Sequence, residues 1–165
     1  MIAGRRASLN EAGSTLPAPL FAYQHRADGL ITQVTANSQS HGFGYADSGL
    51  LTARTNPFRT LSIDSRDAAG RILQQTTTVG GSAAMVEAMT WRGDGTLGNY
   101  AVTRSGTGAW NESRAYTYNA RGQLLSEGFS PASGQSDTLT YVFDGNTSGV
   151  GVRTDEKGQA KGVRF

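Results

Sequence analysis

The stretch Tyr116-Thr117-Tyr118-Asn119-Ala120-Arg121-Gly122-Gln123-Leu124 decides the fold of this chain. Tyr116 and Tyr118 are two positions apart, so on a β-strand they project from the same face. Asn119 can bond the backbone two residues further on and begin a turn, and Gly122 supplies the positive φ that other residues adopt only at a cost. The stretch therefore predicts a strand, a tight turn and a returning strand that begins at an aliphatic residue.

The same pattern recurs along the chain, with Arg in the aromatic position of one copy. In two of the six copies, 21–30 and 141–150, the sequence predicts two extra residues in the turn. The turn glycines are separated by 20, 21, 25, 27 and 27 residues, which suits hairpins and is too short for helix-pair repeats of roughly 33 residues or more. The residues that carry the pattern are Tyr23, Gly29, Tyr45, Asp47, Gly49, Asp67, Gly70, Trp91, Gly95, Tyr118, Asn119, Gly122, Phe143, Asp144 and Gly149.

These repeats predict an all-β chain of consecutive antiparallel β-hairpin repeats that form a curved or spiralling sheet of about ten to twelve strands. Residues 17–165 form one block of about six repeats, after an irregular N-terminal lead-in over residues 1–16. One segment, Ala83–Met89, contains good helix formers and allows a short helix. The register of Met89-Thr90-Trp91 with the aromatic pair of the 116–124 copy favours a strand there.

Composition removes several classes of protein. The chain has 165 residues, of which 17% are charged, and it has no cysteine, so a disulfide scaffold and thiolate chemistry are excluded. No apolar run approaches the ~20 residues of a membrane-spanning helix, and no signal peptide is visible after Met1. Basic residues are spread along the chain, so the sequence predicts no nucleic-acid partner.

Side chains that could carry chemistry are present but are not arranged for it. His25 and His41 are the only histidines and lack a zinc-binding spacing, and no G-x-S-x-G nucleophile motif exists. The repeat pattern predicts that its acidic and amide residues all stand in the same turn position, which indicates turn initiation. They are Asp28, Asp47, Asp67, Asp94, Asn119 and Asp144. The sequence thus predicts no enzymatic activity, no metal and no cofactor.

Two copies and the last segment carry a family resemblance. Arg66-Asp67-Ala68-Ala69-Gly70-Arg71-Ile72, Tyr118–Leu124 and Phe143–Val152 resemble the RHS/YD-repeat family, named for the Tyr-Asp pair in its motif. The resemblance extends from about Phe21 to Val152. This family occurs in bacterial polymorphic toxins, insecticidal toxin complexes and animal teneurins. The resemblance implies hairpins joined edge to edge into a long spiralling sheet, which in toxins closes into a shell around an effector domain.

The expected function follows from this resemblance. We expect a structural repeat segment, the wall of a shell or a spacer in a secreted or cell-surface bacterial protein. Its expected partners are neighbouring repeats of a longer chain, a second copy paired through exposed sheet edges, or an enclosed toxin domain. The alternative is a carbohydrate-binding or cell-surface adhesion module. The candidate ligand-binding aromatics of this alternative are Trp91, Tyr100, Trp110 and Tyr116.

Overall fold

The computed structural model describes residues 8–9, 21–134, 136–141, 150–154 and 160–164. These residues contain fourteen β-strands and no helix, which confirms the all-β prediction and exceeds the expected ten to twelve strands. The strands are β1 (Ser8–Leu9), β2 (Phe21–His25), β3 (Ile31–Ala36), β4 (Gln39–Tyr45), β5 (Leu51–Asn56), β6 (Arg59–Arg66), β7 (Ile72–Val79), β8 (Ser82–Trp91), β9 (Leu97–Arg104), β10 (Trp110–Tyr118), β11 (Leu124–Pro131), β12 (Asp137–Thr140), β13 (Val150–Thr154) and β14 (Ala160–Arg164).

The chain divides into two compact units, Met1–Ala84 and Met85–Phe165. In the first unit, strands β1 to β7 pair antiparallel in chain order. In the second unit, strands β8 to β14 do the same. Ser8 and Leu9, which fall in the predicted irregular lead-in, instead form a short strand against β2. The ambiguous segment Ala83–Met89 lies within β8, so the strand prediction is confirmed.

Five hairpin turns, each spanning five residues, share one backbone hydrogen-bond pattern. In the turn 119–123, Gly122 N donates to Asn119 O at 3.0 Å and Asn119 N donates to Gln123 O at 3.0 Å. Gly122 has a φ of +74°. A type I turn followed by a glycine in the left-handed region is the usual three-residue hairpin loop. The other four turns with this pattern are 26–30, 46–50, 67–71 and 92–96.

The first copy of the repeat has the same turn length as the others, so the prediction of two extra residues there is wrong. Its turn begins at Arg26. Tyr23 and His25 therefore occupy the strand positions that Tyr116 and Tyr118 fill in the cleanest copy. The prediction was wrong because Phe21 and Tyr23 form an equally good aromatic pair, two residues before the pair Tyr23 and His25 that occupies these strand positions. The other copy that looked longer, around Phe143, Asp144 and Gly149, lies outside the described residues.

Each of these five hairpins also contains a β-bulge at the same place. In the first one, Gln24 pairs with Gln33 and His25 pairs with Ile31, so that Thr32 is skipped in the register. The skipped residue is always the third after the turn glycine. A bulge leaves one residue outside the ladder and increases the local twist. The five skipped residues are Thr32, Thr52, Leu73, Gly98 and Leu125.

On β10 of the second unit, the two faces of the sheet carry side chains of different size. On β10, half-buried Glu112, Arg114, Tyr116 and Tyr118 alternate with the exposed series 111, 113, 115 and 117, which are Asn, Ser, Ala and Thr. We call these the bulky face and the small face of the second unit. Among the described residues, only Val102 and Leu139 are buried hydrophobics, with 3% and 9% exposure. The bulky side chains therefore shelter mainly one another.

Candidate functional site

The acidic turn residues do not share one position, which corrects the sequence prediction. Asp28 and Asp94 immediately precede their glycines, whereas Asp67 and Asn119 stand three residues before theirs. Asp47 stands two residues before Gly49. The sequence could not separate these positions because a short polar side chain can serve a turn from several places. Asp144 lies outside the described residues.

Four of these side chains nevertheless bind an equivalent backbone group, the amide that follows the turn glycine. Asp28 accepts this bond at 3.2 Å and Asp67 at 2.9 Å. Asp94 accepts it at 3.0 Å and Asn119 also at 3.0 Å. The hydroxyl and amide of Thr96 donate to Asp94 and hold the pKa of this carboxyl below its ordinary value. The side-chain oxygens of these four residues therefore stabilise their own turns.

A second set of pattern residues joins three of the repeats to the repeat before each of them. The Tyr45 hydroxyl donates to Ile31 O at 3.0 Å. Arg66, the residue that replaces the aromatic in its copy, reaches the equivalent carbonyl, Leu51 O, at 2.7 Å. We call these hydrogen bonds the inter-repeat ties. In the second unit the Tyr118 hydroxyl makes the same tie to Leu97 O at 3.0 Å.

The ties fill a gap at the turn end of the sheet. The β3–β4 ladder ends at the pair Gln33 and Gly42, two residues short of Ile31. The β5–β6 and β9–β10 ladders end two residues short of Leu51 and Leu97 in the same way. A carbonyl beyond the end of a ladder needs another donor. Only a long side chain with a terminal donor spans this gap, which explains why Arg66 can replace tyrosine.

Further contacts strengthen the junctions between repeats. Arg26 lies 5.8 Å from the centre of the Tyr45 ring and donates to Ala46 O at 3.0 Å. Arg92 lies over the Tyr118 ring at 5.7 Å, which is the equivalent arrangement in the second unit. Cation–π contacts of this kind contribute about 0.5–1 kcal/mol at exposed sites. Arginine at the first turn position thus binds the aromatic residue of the next repeat.

The candidate ligand-binding aromatics have different surroundings. The half-buried Tyr100 donates its hydroxyl to Glu87 Oε1 at 2.6 Å, and burial together with the Glu87 carboxylate raises the pKa of Tyr100 to about 12. Tyr116 lies opposite Glu127, and burial raises the pKa of its phenol as well. Trp91 is half-buried and lies opposite Leu97. Trp110, in contrast, is 39% exposed at the start of β10.

A network of charged residues on the bulky face of the second unit was missed by sequence reasoning. Arg114 donates to Glu127 Oε1 at 2.5 Å and to Glu112 Oε1 at 3.3 Å. The Tyr141 hydroxyl lies 3.5 Å from Glu127 Oε2. The period-two series 110, 112, 114, 116 and 118 placed Glu112 and Arg114 on the aromatic face of β10. That signal could have found two members, whereas Glu127 needed the strand register.

A cavity of about 220 Å³ opens beside this network. Trp110 and Glu112 line it from β10, and Phe129 and Pro131 line it from β11. Within the described residues, no group of three or more His, Cys, Asp or Glu side chains is arranged to hold a metal ion. No helix in this part of the chain is long and apolar enough to cross a membrane.

Comparison with known proteins gives matches among solved structures. No family model matches the chain, and no curated protein matches it. The crystal structure of TcdB2-TccC3-Cdc42 superposes with a TM-score of 0.67 over 85% of this chain, at 15% sequence identity. The chain shares its fold with part of a toxin complex. It spans only 8% of the matched chain, so the likeness concerns the fold alone.

Proposed function

We propose that this chain is a non-enzymatic structural segment, a length of wall in an RHS/YD-type shell or spacer of a secreted or cell-surface bacterial protein. The observation that carries the proposal is the inter-repeat tie. Tyr45, Arg66 and Tyr118, which belong to the repeat pattern, donate to the backbone of the preceding repeat. Side chains of the recurring pattern therefore serve to continue the sheet.

The polar residues of the pattern support a structural rather than a catalytic role. Asp67 and Asn119 each accept two backbone amide bonds within their own turns. A carboxylate or amide committed to its own turn is poorly placed to act on a substrate. The fold likeness to a toxin complex is consistent with a shell wall that encloses an effector domain.

A wall segment needs partner strands at the two edges of its sheet. Backbone groups at the edge of a sheet pair with another strand when one is presented. We propose that neighbouring repeats of a longer chain supply those strands, and that a second copy pairs through the same edges when they are free.

The experiment is to isolate the native protein that carries this segment and image it. An antibody raised against residues 21–134 would recover the native protein from its source organism for electron cryomicroscopy and a hydrolase panel. We expect a β-sheet wall or spacer that contains this segment, with no turnover. A compact catalytic domain built from this segment, or activity that stays with the purified segment, would contradict the proposal.

The alternative, carbohydrate binding through aromatics, has less support from the geometry. Stacking on a sugar needs a free ring face, but Trp91, Tyr100 and Tyr116 are half-buried. Trp110 is the most exposed of the four candidates. A glycan array probed with the wild type and with Trp110→Ala decides the matter. Only carbohydrate binding produces a signal that the substitution removes.

A further inference from the structure

The cavity between β10 and β11 combines apolar walls with one ionisable group. Trp110, Phe129 and Pro131 supply the walls, and Glu112 is the only ionisable residue in the lining. The cavity volume of about 220 Å³ is smaller than the roughly 300–1,000 Å³ of pockets that bind drug-sized ligands. The cavity therefore suits a single side chain rather than a whole cofactor.

The charge beside the cavity favours a cation. Arg114 is shared between two carboxylates, and Glu112 receives the longer bond, 3.3 Å against 2.5 Å for Glu127. Asp137, opposite Phe129, has a buried Oδ1 without a hydrogen-bond partner among the described residues. The bulky face of β8 to β12 thus carries two more carboxylates than guanidinium groups. These groups are Glu87, Glu112, Glu127, Asp137, Arg104 and Arg114.

The pKa of Tyr100 agrees with this excess of negative charge. Burial contributes most to the raised pKa, and the carboxylates of Glu87 and Glu112 raise it further. A phenol resists ionisation beside negative charge because the phenolate would be repelled. An anionic ligand would meet the same repulsion at Glu112.

The aromatic walls are suited to a planar cation. Arg104 lies 5.4 Å from the centre of the Trp110 ring, and Arg114 lies 5.3 Å from that of Phe129. Neither arginine lines the cavity, so the parts of the rings that do line it remain open to a ligand. A guanidinium group can stack on an aromatic ring while it donates hydrogen bonds to a carboxylate.

We propose that this cavity binds one arginine side chain of a partner polypeptide, with its guanidinium between Trp110 and Phe129 and its N–H groups donating to Glu112. This inference is independent of the proposed wall function, because it concerns what touches the bulky face and not how the sheet is built. A failure to bind arginine leaves the inter-repeat ties unaffected.

The test is a titration of the whole 165-residue chain with N-acetyl-L-arginine methylamide, followed by the indole N–H resonance of Trp110 in nuclear magnetic resonance spectra. The neutral isostere N-acetyl-L-citrulline methylamide and a methyl glucoside serve as the comparison probes. We expect the arginine probe to shift the Trp110 signal saturably, and the citrulline probe to bind about tenfold more weakly or worse because it lacks the charge. The Trp91 signal should stay in place.

Two variants make the result decisive. Glu112→Gln should weaken arginine binding about tenfold, and Trp110→Ala should abolish the heat of binding measured by calorimetry. Asp47→Asn, a charge change of the same kind on an exposed turn, should leave the affinity within about twofold, the small effect expected of a remote surface charge. Equal binding of both amino-acid probes, saturation by the glucoside alone, or no binding of the arginine probe would each overturn the proposal. Calorimetric binding that Glu112→Gln leaves unchanged would do so as well.

Discussion

At the scale of the residue, the five-residue hairpin turns depend on glycine at their fourth position and tolerate several residues at the others. Gly95 closes the turn 92–96 with a φ of +88°, a conformation that costs a non-glycine residue about 1–2 kcal/mol. Two residues earlier, Gly93 is outside this region of φ, and a Cβ built there would meet nothing within 4 Å. The equivalent position holds alanine in three other turns, at 27, 68 and 120.

These two glycines should respond to alanine with opposite signs. Gly95→Ala should lower the free energy of unfolding by about 1–2 kcal/mol because alanine is strained at positive φ. Gly93→Ala should raise it by about 0.4–1 kcal/mol because the unfolded chain loses conformational freedom. Urea denaturation followed by circular dichroism measures both. Equal destabilisation by the two variants would rule out the turn geometry described here.

Alkaline pH should destabilise the second unit through Tyr100. The pKa of this phenol is about 12 in the folded chain against an ordinary 10.0, so the folded state holds the proton more tightly than the unfolded state does. The resulting stability is complete below pH 10 and is lost as the pH rises towards 12. Denaturation midpoints measured from pH 8 upwards should fall more steeply in the wild type than in Tyr100→Phe. Parallel curves would be the contrary result.

At the scale of the element, the hairpin is the unit that repeats, and a bulge and a tie define its junction with the next one. The bulge skips the third residue after the turn glycine. The inter-repeat tie is a hydrogen bond to the carbonyl of the residue just before the skipped one. Arg66 also donates to Gly70 O at 2.6 Å within its own turn. The physical requirement at this position is a long side chain with a donor at its end, which tyrosine and arginine both meet.

Removing one tie should have a measurable cost. Tyr45→Phe deletes the hydroxyl that donates to Ile31 O, and the loss of one hydrogen bond of this kind costs about 0.5–1.5 kcal/mol. Tyr23→Phe is the matched control, because the Tyr23 hydroxyl makes no hydrogen bond among the described residues. Chemical denaturation of the two variants measures the difference. The tie would have no energetic importance if both substitutions gave the same unfolding free energy.

At the scale of the whole molecule, each unit is a sheet whose strands contact their neighbours along the chain. The described residues contain little fully buried hydrophobic surface. Stability in such a repeat protein is the sum of many nearest-neighbour terms rather than the property of one core. A local change should therefore have a local effect.

Hydrogen exchange should show this locality. Gly122→Ala places alanine at a φ of +74°, with no atom within 4 Å of the new Cβ, so its cost is conformational. Amide protection should fall in β10 and β11, which flank the turn, and stay unchanged in β4 and β5. Mass spectrometry of peptic fragments resolves the two regions. A uniform fall across the whole chain would instead indicate one cooperative core.

The sequence by itself determined the all-β class, the hairpin repeat and the strand identity of Ala83–Met89, because period-two patterning and turn glycines are local properties. The sequence-based prediction misplaced the first turn. It also placed all the acidic residues at one turn position, because a short polar side chain can serve the same turn from several distances before the glycine. The tertiary structure alone decided which carbonyls the ties reach and which residues surround the cavity. Those contacts depend on strand register, and a bulge, which shifts the register by one residue, is set by pairing between strands rather than by either strand alone.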